Sequence, residues 1–211
     1  MDIFQEWLDS IFAAPLTRFP GDIGDHAVAP PSPEAELDCY VRLLEQPGRL
    51  LAPYPAASIG QGLDFLFNGL YQMPHVLLDP DLPRERRLRG LRGIENLFRE
   101  IFAAQAEPAH PAYARSERLD SCCYMFWDVF PTWGGGEALR EECAAILQVM
   151  ENSLELDSIA CIESALHGLN HWVGYDPPRV RGIIDRLLAS RRPLNPTVRQ
   201  HAEWAKAGSM Q

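Results

Sequence analysis

At 211 residues the chain can form one domain that buries roughly 70% of its unfolded surface, or two small ones. Apolar residues make up 46% and charged residues 23%, as in an ordinary globular protein. No apolar run reaches the ~20 residues needed to cross a bilayer. The net charge of −10 argues against nucleic acid as the main partner and favours a basic protein partner or plain solubility.

The first element, at 2–13, opens the chain as MDIFQEWLDSIFAAPL. It places acids where a secretory signal carries positive charge, so a cytoplasmic location is expected. The segment 19–32 is rich in Pro, Gly and Asp and is expected to be the least ordered part. Further helices are predicted at 33–46, 58–72, 84–104, 117–130, 137–152, 157–173, 177–189 and 196–206. Ser32-Pro33, Asp176-Pro177 and Asn195-Pro196 each set a good N-cap residue before a proline suited to the first helical position. Most other prolines fall between these helices, and no segment alternates at period two, so no strand is predicted. The five cysteines, Cys39, Cys122, Cys123, Cys143 and Cys161, lack CxxC or Cys/His spacing and read as reduced, packed thiols.

Charge is unevenly spread. Residues 1–46 hold nine acids and two arginines, residues 137–163 seven acids and one arginine, and residues 176–211 seven bases and three acids. The arginines of the run Arg84 to Arg92 form the polar side of an amphipathic helix, and they are expected to pair with the acidic N-terminal region. A weak internal echo relates Phe67-Asn68-Gly69-Leu70-Tyr71 to Leu166-His167-Gly168-Leu169-Asn170. It divides the single expected domain, 1–211, into pseudo-repeat halves at about 33–104 and 117–206, with chance similarity as the alternative.

The stretch from Asp157 to Gly174 is the most informative. At 100° per residue, Ile159, Ile162, Leu166, Leu169 and Val173 form one apolar stripe, while Cys161, Ala165, Gly168 and Trp172 form a small-residue side opposite. A narrow polar ridge remains, with Glu163, Ser164, His167, Asn170 and His171. A helix covered on two sides belongs inside a layered array. With the following Asp-Pro turn and amphipathic helix, this stretch resembles a unit of the HEAT-like helical repeats over residues 157–188. It is also similar to stand-alone bacterial helical proteins of toxin-immunity gene pairs. The resemblance implies an all-α fold, with about nine helices in consecutive antiparallel pairs as a short irregular array or orthogonal bundle.

Two chemistries stand out. Glu163, His167 and His171 lie at i, i+4 and i+8 along one ridge and could ligate a metal, although the glutamate is not placed as in HExxH. The alternative is a structural polar ridge, and no cofactor is expected. Gly134-Gly135-Gly136 lacks the lysine of a phosphate loop and reads as a connector. The dense aromatics of Tyr124 to Phe130 read as core. The functional expectation is a non-enzymatic protein-binding module, most concretely an immunity protein that occludes a basic toxin. Its acidic surface would comprise Glu137, Glu141, Glu142, Glu151 and Glu155, with Trp133 as an aromatic anchor.

Overall fold

The computed structural model describes residues 2–68, 75–106, 118–129 and 139–209. The expected turn glycines 134–136, Trp133, Glu137, and Gly69 to Tyr71 of the internal echo lie outside these residues. The described residues are all-α, with no strand among them. In chain order the helices are α1 (Ile3–Phe12), α2 (Pro33–Glu45), α3 (Pro47–Leu51), α4 (Ala56–Phe67), α5 (Arg84–Leu97), α6 (Ala103–Gln105), α7 (Arg118–Tyr124), α8 (Phe126–Val129), α9 (Arg140–Leu154), α10 (Ile159–Trp172), α11 (Pro177–Ala189) and α12 (Pro196–Ala207). No described helix is long and apolar enough to cross a membrane.

The caps read from the sequence form as expected. Ser32 accepts a hydrogen bond from the Ala35 amide, Asp176 from Arg179 and Asn195 from Thr197. Four local differences are instructive. Residues 20–25 make a 3-10 helix rather than irregular chain, with Pro20 supplying the fixed φ of its first position. Pro47 likewise opens α3, because a proline that ends one helix can start another. The long helix expected over 84–104 changes pitch at Phe98–Phe102, which form a π turn. The helix expected over 117–130 breaks at Met125 into α7 and α8.

One contiguous set of buried side chains runs from Phe4 to Ala205. Around it α2 packs on α5, α5 on α9, and α4 on α7. The α4–α7 crossing is close at Gly60, where a Cβ would lie 2.7 Å from the Leu119 amide nitrogen. Two arginines of α5 meet the N-terminal acids as expected, Arg86 reaching Asp38 at 3.4 Å and Arg89 reaching Glu45 at 2.5 Å, whereas Arg84 reaches Glu141 of α9 at 3.3 Å. Arg87 points inward instead and meets Glu142 of α9 at 2.7 Å, with both side chains buried.

Helix α10 is the hub, touching α7, α8, α9, α11 and α12. Its burial exceeds the two sides expected. Glu163, Ser164 and His167 on the polar ridge are buried, whereas Ile159 at its start is exposed. The ridge is covered because α12 and the α7–α8 pair close over it, so its polar groups need partners inside the protein. No disulfide joins the cysteines; Cys39, Cys122, Cys123 and Cys161 are buried and Cys143 is half-buried.

Candidate metal centre

Helical spacing puts His167 and His171 one turn apart on α10, with ring centroids 5.0 Å apart. Their partner comes from α8, a single turn whose Trp127 lies against α10 at Gly168. A Cβ on Gly168 would sit 2.6 Å from Trp127 Cγ, so only glycine permits this approach. The next residue, Asp128, faces both imidazoles. Its Oδ1 lies 2.8 Å from His167 Nε2 and also bonds His171 Nε2. The three ligand-bearing atoms all fall within 4.8 Å of one another.

Exposure grades across the cluster. The His167 side chain is 8% exposed, Asp128 18% and His171 36%, so the group is anchored inside and reached from the His171 side. The Tyr124 ring packs on His167 with centroids 4.7 Å apart. Burial alone raises the Asp128 carboxyl, but hydrogen bonds from His167 and His171 and their positive charge outweigh it and hold it at about 2. The group is therefore a carboxylate at neutral pH and can ligate.

The residues suit a divalent transition ion. Two imidazoles and one carboxylate form a mixed nitrogen–oxygen set that favours zinc, iron, nickel or copper over magnesium or calcium. Three protein ligands leave coordination positions open. The ring nitrogen of His167 that faces away, Nδ1, is buried with no hydrogen-bond partner among the described residues. Ligation through Nε2 places the proton on this Nδ1, so the outer support usual for a ligating histidine is missing there.

The expected ridge thus contributes two of its three members. Glu163 turns toward α12, where its Oε1 lies 3.5 Å from His201 Nδ1. Burial, followed by the charge of His167, lowers the pKa of His201. Asp128 and His201 were missed by spacing. The available signal for Asp128 was a lone acid in the apolar stretch Tyr124-Met-Phe-Trp-Asp-Val-Phe130, since an acid there needs a partner.

The expected docking acids fare differently. Glu141 is exposed, 3.3 Å from Arg84. Glu142 is buried against Arg87 and is removed from any docking surface, because the periodicity of α9 aims it at α5. Glu151 pairs with Arg186 at 2.5 Å, and Glu155 is exposed. Glu137 and Trp133 lie outside the described residues. Burial pushes the Cys122 and Cys123 thiols well above their usual range, which disfavours nucleophilic thiolates. The chain matches no protein-family model, no curated protein and no solved structure.

Proposed function

We propose that this protein binds a divalent transition-metal ion through Asp128, His167 and His171. The observation that carries this reading is the convergence of two imidazole nitrogens and one carboxylate oxygen, from elements about forty residues apart, at a partly open position. Such a site either holds a structural ion or presents one with open coordination positions to a ligand. The test is titration of the full chain with zinc or cobalt(II) by calorimetry. One equivalent should bind, and His167→Ala and Asp128→Ala should each abolish it. Substoichiometric uptake in the wild-type chain, or unchanged uptake in both variants, sinks the reading.

The second reading is a helical protein-binding module, an immunity protein that occludes a basic toxin. The net charge of −10 favours it. Its surface is narrower than the sequence suggested, since Glu142 is inside and Glu141 and Glu151 face arginines. Of the expected acids among the described residues, Glu155 is exposed and stands outside these arginine pairs. Co-expression with a toxic neighbouring gene product tests it: rescue of growth supports neutralisation, and continued toxicity removes it.

A further inference from the structure

We infer that Trp127 is the positioning residue of the metal site, stacked on the first residue of a π turn and seated against Gly168 so that Asp128 is aimed at His167 and His171. This inference rests on the metal reading above. Helix α8 is one turn long, Phe126–Val129, too short for its own hydrogen bonds to set the direction of Asp128. The neighbouring tryptophan supplies the direction instead. Phe98, the first residue of the π turn, lies nearly parallel to the indole, with centroids 5.5 Å apart and planes at 13°. Gly168 admits the Cβ, Cγ and Cδ1 atoms of the same side chain at a distance no other residue allows.

Both features are locally unfavourable. A π turn has poor helical geometry and recurs at functional sites. A glycine inside a helix gives up propensity that alanine would keep. That both departures meet on one side chain, next to a candidate ligand, is the pattern expected where local rules yield to a site. The arrangement also sets register. Gly168 directly follows His167, so the residue that seats Trp127 and the residue that faces Asp128 share one turn of α10. Cys161 adds a tie on the same helix, with its thiol 3.7 Å from the Phe98 carbonyl oxygen at the π turn.

The experiment uses the full chain with cobalt(II), whose visible ligand-field spectrum reports coordination geometry. Trp127→Leu and Gly168→Ala should each weaken cobalt binding about 10–100-fold and alter the spectrum, as loss of outer support does. Phe12→Leu, in the core of α1 beside Tyr54, is the control for general loosening and should leave affinity and spectrum unchanged. Helical content by circular dichroism is checked for each variant. Should Trp127→Leu fail to fold, Trp127→Phe decides, with a smaller loss of affinity in the same direction. Wild-type affinity and spectrum in the Trp127 and Gly168 variants overturn the positioning role, as does an equal loss in Phe12→Leu. If the wild-type chain takes up no cobalt, the metal site itself falls and the positioning role falls with it.

Discussion

Two buried polar groups of this protein answer the same problem in different ways. Between α5 and α9, Arg87 and Glu142 form a buried ion pair at 2.7 Å; Arg87 Nε also donates to the Leu82 carbonyl, and the half-exposed Arg84 reaches the same Glu142 oxygen at 3.6 Å. Between α8 and α10, one carboxylate oxygen serves two histidines, and exposure rises from His167 to His171. The first group surrounds its carboxylate with arginines, which carry no lone pair for a metal, and both partners of its shorter ion pair are buried. The second has surplus coordinating capacity and a side open to solvent. Buried charge alone therefore says little about function, while an excess of ligand atoms at an accessible point says more.

The largest expected effect separates the two directly. Glu142→Ala leaves Arg87 buried without its carboxylate and should cost about 3–5 kcal/mol in urea unfolding, with metal affinity of the folded fraction unchanged. A much smaller loss would mean that water reaches the pair. Next, zinc at about 100 times its dissociation constant should stabilise the wild-type chain by about 2.7 kcal/mol, and should do nothing for His167→Ala. Equal stabilisation of both would move the ion elsewhere.

A smaller effect concerns acid. The Asp128 carboxyl lies at about 2 in the folded chain and near 3.9 when unfolded, so the folded state binds fewer protons. Its contribution is fully present above about pH 4 and is lost as pH falls through 2, amounting to roughly 2–3 kcal/mol. Asp128→Asn should flatten that part of the stability–pH curve, and an unchanged curve would place the acid sensitivity at other carboxylates. The smallest effect is expected at the rim: Lys206→Ala removes an exposed pair with Asp185 and should change stability by less than about 1 kcal/mol. A larger change there would make surface pairing, rather than interior polarity, the distinction that matters.

The legibility of the site follows from distance along the chain. His167 and His171 were readable because four residues along a helix return to the same side, and this needs no knowledge of neighbours. Asp128 was not, because its relation to them spans 39 and 43 residues and depends on how α8 is laid on α10. The reading of Tyr124 to Phe130 as core was sound for Phe126 and Trp127, and it concealed the one acid among them. Glu163 lies on the same ridge as the histidines but faces His201, since the partner of a ridge residue is chosen by whichever helix covers that turn.

What the amino-acid order determined by itself is the all-α character, the proline-led N-caps and the periodic apolar faces, all of which rest on interactions within a few residues. Only the tertiary structure decided that Glu142 faces inward, that Glu163 meets His201, and that Asp128 joins the histidines. These are outcomes of packing: a glycine at 168 lets an indole approach α10, and burial then brings Asp128 to the histidines and Glu142 to Arg87 across elements distant in the chain. Local hydrogen bonding and periodicity act along the chain, whereas burial and polar satisfaction act across it.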